Sequence, residues 1–113
     1  MSDYGSAIKL RKKDKLPVTN TDLEWVKQEV DKIKNHTYTN ALGEPLLYKF
    51  VTTENDRSQM LIYLSEYWEG DGDDEALFEF AKDNDLLQCE DISKGLSKSI
   101  GGVFAMEPVF ESW

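Results

Sequence analysis

The segment EPLLYKFVTTENDRSQMLIYLSEYWEGDGDDE, residues 44–75, decides the fold. Its first part, 46–53, is rich in Leu, Tyr, Phe and Val and closes on Thr52 and Thr53, the composition of a pleated strand. The polar connection 54–58 has hairpin length. Beyond it Met60, Leu61, Ile62, Tyr63 and Leu64 are apolar at consecutive positions, as in a central strand covered on both faces, and this second strand spans 59–68. It ends on Tyr67 and Trp68, immediately before the most acidic run of the chain, Glu69-Gly70-Asp71-Gly72-Asp73-Asp74-Glu75.

Upstream, Tyr4, Ser6, Ile8 and Leu10 alternate with Gly5, Ala7, Lys9 and Arg11, the period of a strand with one covered face, stopped by Pro17. Thr21-Asp22-Leu23-Glu24 has capping-box spacing. The helix it predicts carries Leu23, Val26, Val30 and Ile33 on one stripe and ends near His36, whose charge would suit the helix C-terminus. Downstream, Ala76, Leu77, Phe80 and Ala81 predict a second helix over 73–83 with acids in its first turn. A short third helix is expected over 91–99, stopped by Gly101-Gly102. The last strand, 103–113, is interrupted by Pro108, which marks an edge or bulged strand.

This order predicts an α+β fold, with an antiparallel or mixed split βαβ-like sheet of about four strands and two or three helices on one face. Leu23, Val26, Val30, Ile33, Ile62, Leu64, Leu77 and Phe80 are the expected core. A chain of 113 residues and 13.0 kDa fits a single globular domain, 1–113. Its 40% hydrophobic and 31% charged content argues against both disorder and a membrane protein. A single cysteine and a start without an apolar leader point to a reducing cytoplasm.

The net charge of -9 is unevenly spread. Five cations and one acid lie between Lys9 and Lys15, whereas eleven acids and one cation lie between Glu66 and Asp91. Such a field repels phosphates and attracts basic surfaces, so nucleic acid is not the expected partner and a basic protein is. The lysine-rich segment reads as protection of a sheet edge, and it could also attract the acidic lobe of a second copy in a homo-oligomer.

Catalytic and metal readings are weak. The 69–75 run lacks the glycine and bidentate glutamate of a calcium loop at the required spacing, so no metal is expected. Cys89 lies among Gln88, Glu90 and Asp91, anions that oppose a thiolate, and the single histidine has no partner nearby in sequence. No phosphate loop or cofactor signature is present.

The expectation is therefore a non-enzymatic protein-binding module without a cofactor. The form favoured is a small acidic inhibitor or immunity-type protein that neutralises a basic partner such as a toxin nuclease. Tyr67, Trp68, Asp71, Asp73, Asp74, Glu79 and Asp83 are the expected contact set, with the aromatics as anchors. The alternative is a small-molecule or regulatory domain using the open sheet face and Tyr48, Tyr63 and Tyr67.

Overall fold

The computed structural model describes residues 3–33, 38–53, 55–68 and 75–112. In chain order these form β1 (Asp3–Lys12), α1 (Asn20–Ile33), β2 (Lys49–Thr52), β3 (Met60–Tyr63), β4 (Tyr67–Trp68), α2 (Glu75–Ile100) and β5 (Phe104–Ser112). Every strand pair is antiparallel. Ala7 pairs with both Tyr63 and Val109, and Tyr4 with both Tyr67 and Ser112. So β3 and β4 share one edge of β1 and β5 holds the other. The sheet is four strands wide, in the order β5, β1, β3 with β4, β2. With a helix after β1 and another before β5, this is the split βαβ arrangement that the element order predicts.

β3 and β4 are one strand line broken by a bulge. The amides of Leu64 and Ser65 both donate to the Ser6 carbonyl, at 2.9 and 3.4 Å, so two residues oppose one. The pairing shifts by one residue there, from Ala7 opposite Tyr63 to Tyr4 opposite Tyr67. Gly5 is required at this point, because a Cβ there would stand 2.1 Å from the Ser65 carbonyl oxygen. The single strand expected over 59–68 is thus two segments. The strand expected over 46–53 is shorter, because Tyr48 takes a left-handed φ of 52° just before Lys49.

The alternation read in β1 sets which side chains meet the helices, but burial does not alternate over 4–8, since Ala7 on the other side is only 2% exposed. Tyr4, Ser6, Ile8 and Leu10 are buried beneath the helices. The Ser6 backbone is turned toward the bulge, so by alternation Ile8 also turns its backbone toward β3. Pro108, opposite Ile8, therefore faces its donor-less nitrogen to the free edge of the sheet, where no ladder bond is lost.

α1 begins two residues earlier than its expected box. The Thr19 hydroxyl accepts from the Asp22 amide at 3.1 Å, and the Asp22 carboxylate accepts from the Thr19 amide at 2.9 Å. Val26 and Val30 are buried, with Leu23 and Ile33 packed at the margin of the core. His36 lies outside the described residues.

α2 is one helix of 26 residues, where two shorter ones are expected. Its buried stripe is Ala81, Asp85, Cys89, Ile92, Leu96 and Ile100. Phe80 precedes Ala81 by one position, about 100° around the helix, and is 56% exposed. The expectation that Phe80 is core is therefore wrong in phase, and the Leu77 side chain lies outside the described residues. The main core joins Ile8, Leu10, Val26, Val30, Met60, Ile62, Leu64, Ile92, Leu96, Ile100 and Phe104. No helix among the described residues is long and apolar enough to cross a membrane.

Candidate functional site

The solvent side of α2 carries an unusual mixture. Positions 80, 83, 87 and 90 recur at helical spacing, so Phe80, Asp83, Leu87 and Glu90 share one exposed face, with Glu79 beside them. Leu87 is 67% exposed, more than Phe80. Large apolar side chains in such positions add nothing to the core beneath them. Among the described residues no ion pair neutralises Glu79, Asp83 or Glu90, so the face keeps its negative potential. Lys82 is the cation nearest to them in sequence.

The chain after α1 is strapped along this helix. The Thr39 amide donates to Gln88 Oε1 at 2.9 Å, and Gln88 Nε2 donates back to the Thr39 carbonyl at 2.6 Å. The Tyr38 hydroxyl donates to Asp91, and that carboxylate is the first cause of a Tyr38 hydroxyl pushed up to about 12. Asp91 is exposed but already accepts from Tyr38, whereas Glu79, Asp83 and Glu90 have no ion pair among the described residues.

Of the expected contact residues, Glu79 and Asp83 lie together one turn apart on this face. Asp71, Asp73 and Asp74 lie outside the described residues, as does the side chain of Trp68, whose backbone pairs with Asp3. Tyr67 is corrected: it is 1% exposed and belongs to the interior, so it is not available as a surface anchor. Phe80 and Leu87 are the apolar groups that the sequence reading missed. Their signal was present in the phase of Ala81, Asp85 and Cys89, but it is visible only once 75–100 is read as one helix.

The interior around Tyr67 is a hydrogen-bonded cluster set at the bulge. The Asp85 carboxylate accepts from Ser65 at 2.7 Å, from Tyr67 at 2.6 Å and from the Asn84 side-chain amide at 2.9 Å. Ser6 and Ser65 join their hydroxyls at 2.6 Å, and the Ser6 amide donates to Ser65 Oγ at 3.0 Å. The Tyr67 oxygen in turn accepts from the Ala41 amide at 2.8 Å. Burial, followed by the bond to Asp85, raises the Tyr67 hydroxyl above its ordinary value.

Hydroxyls, a carboxylate and the Cys89 thiol thus stand close together, a grouping with the ingredients of nucleophilic chemistry. Ser6, Ser65 and Cys89 are fully buried and Asp85 almost so. The Cys89 thiol is pushed up to about 12, first by burial and more weakly by Asp85 and Glu90. Of the two anions named from the sequence, Glu90 is thus a lesser cause and Asp91 is not among the causes. What the cluster does is hold α2 to the bulged strand: Ser65 and Tyr67 both donate to Asp85 of the helix, and a polar interior requires such partners.

Among the described residues no helix covers the other face of the sheet. Lys49, Tyr63, Ala7 and Val109 form one row, and Val51, Leu61, Lys9 and Glu107 the next. Of the three tyrosines expected on that face only Tyr63 is there. Tyr67 is in the interior, and Tyr48 packs against the main core. Among the described residues no group of three or more His, Cys, Asp or Glu side chains is placed to hold a metal ion. Comparison of the chain with protein-family models, with curated protein sequences and with solved structures found no significant match.

Proposed function

We propose that this chain is a non-catalytic protein-binding module, an acidic inhibitor or immunity-type protein that covers a basic surface of its partner, such as the substrate groove of a toxin nuclease. The observation that carries this reading is the exposure of Phe80 and Leu87 on the same face of α2 as Glu79, Asp83 and Glu90. Apolar side chains at the centre with polar ones around them match the core-and-rim anatomy of a protein interface. The acids steer a basic partner toward the face, and the two anchors slow its release once docked. The acidic stretch 69–74 leads into the same helix and adds to the field.

The test is a pull-down from the native host followed by binding kinetics at two salt concentrations. Neutralising Glu79, Asp83 and Glu90 together slows association and flattens its salt dependence. Replacing Phe80 and Leu87 by serine chiefly accelerates release. An acidic captured partner, or kinetics that neither set of changes alters, overturns the reading. The competing use of the open sheet face for a small molecule is weakened by the removal of Tyr48 and Tyr67 from that face.

A further inference from the structure

The open face of the sheet is a second surface, independent of the α2 ridge. An antiparallel sheet with one solvated face ordinarily turns polar side chains outward. Here Val51, Leu61, Tyr63 and Val109 face outward together, with Leu47 53% exposed beside them. A hollow of about 380 Å³ runs between Leu47, Val51, Leu61 and Tyr63.

The charges around this apolar middle have an order. Glu66 and Glu111 lie at the end of the face where Gly5 sits, and Arg11 lies at the opposite end. Lys49 marks the β2 edge and Glu107 the β5 edge, with Lys9 central and bonded to Glu111 at 3.2 Å. Among the described side chains of this face three cations and three anions cancel, on a chain whose net charge is -9. Two copies repel through most of their surface but not through this one.

We propose that the open face is the contact between two copies of the chain, related by a two-fold axis that lies across the strands at the level of Ile8. The geometry follows from the register. Turning the face about that axis exchanges the level of Gly5 with that of Arg11, and the level of Ala7 with that of Lys9. Glu111 of each copy then lies over the Arg11 end of the other, and Tyr63 of each lies over Leu61 of the other. The contact is isologous and closes at two copies, with the sheets aligned as in a sandwich. The helical side stays outside, which leaves the α2 ridge of each copy free.

Sedimentation equilibrium of the full chain across the micromolar range tests this, with circular dichroism confirming that each variant is folded. The native chain is expected at twice its 13.0 kDa mass, and Leu61→Glu at its single mass. Because Leu61 is half-buried, charge reversal at exposed positions provides a second arm with a smaller effect on folding, Glu111 giving up only its exposed bond to Lys9. Arg11→Glu and Glu111→Arg each shift the equilibrium toward monomer, and the double variant restores the dimer. A native monomer would leave the face to an unlike partner and overturn the proposal, as would a dimer indifferent to Leu61→Glu. A dimer split by Leu61→Glu but not restored by the double reversal overturns the two-fold arrangement.

Discussion

The two halves of α2 are held to the same sheet by different physics. Toward its C-terminus Cys89, Ile92, Leu96 and Ile100 enter an apolar core shared with α1, β1, β3 and β5, where contact area is what matters. Toward its N-terminus the helix meets a smaller cluster. There Tyr4 stacks on Tyr67 at 5.3 Å and meets Phe78 at 5.1 Å and Phe110 at 5.8 Å, while Asp85 collects three donors. Area leaves neighbouring side chains some freedom to readjust, whereas hydrogen bonds fix direction. The polar half therefore sets the rotation of the helix, and that rotation puts Phe80 and Leu87 outside.

The largest expected effect strikes the polar half alone. Gly5→Ala places a methyl group 2.1 Å from the Ser65 carbonyl and must displace the bulge, lowering unfolding free energy by about 3 kcal/mol or more in a urea titration. A loss below about 1 kcal/mol would show that the bulge yields easily. In the apolar half, Leu96→Ala is expected to cost about 3 kcal/mol with an unchanged denaturant slope. Asp85→Ala strands the Ser65 and Tyr67 hydroxyls and is expected to cost about 2 kcal/mol, with Asp85→Asn losing less. An Asp85→Leu variant more stable than the native chain would mean that the hydrogen bonds specify the helix rotation without stabilising it.

Alkaline pH sharpens the same contrast. In the unfolded chain the Cys89 thiol ionises at its ordinary 9.0, but in the folded chain it stays protonated to about 12. Between those values the unfolded state holds fewer protons, so stability falls as pH rises, by up to about 1.4 kcal/mol per unit. Tyr67 acts in the same sense above its ordinary 10.0. Denaturant melts across this range should show a shallower decline in Cys89→Ala. The smallest effect belongs to the outer face: Phe80→Ser is expected to change stability by less than about 0.5 kcal/mol, because the side chain is 56% exposed.

The alternation of Tyr4, Ser6, Ile8 and Leu10, the stripe of Val26 and Val30, and the edge position implied by Pro108 were all legible in the sequence. Each is a local signal carried by spacing or by proline chemistry. The bulge at Leu64 and Ser65 was not, because it depends on Gly5 some sixty residues away admitting a carbonyl. The phase of α2 was hidden for a related reason. Its inner face includes Asp85, a carboxylate whose burial makes sense only beside partners from other elements, so a hydrophobic stripe sought in 73–83 settles on Phe80 instead. The acids of the ridge were visible as composition; the anchors among them required the helix to be continuous.

The central position of β1 bears on how the chain is made. Nine of its residues, Tyr4 to Lys12, pair with β5, whose partners run from Ser112 back to Phe104. On the ribosome β1 emerges early, yet one of its edges stays unsatisfied until nearly all the remaining elements have followed. Loop closure over such a separation is slow, and a waiting strand edge is a template for pairing between nascent chains. Lys9, Arg11, Lys12 and Lys13 sit on and just beyond that strand, where like charges oppose its alignment with a neighbouring copy. In the folded sheet β1 is central, so the edge that these cations were expected to protect exists only before β3 and β5 have paired with it.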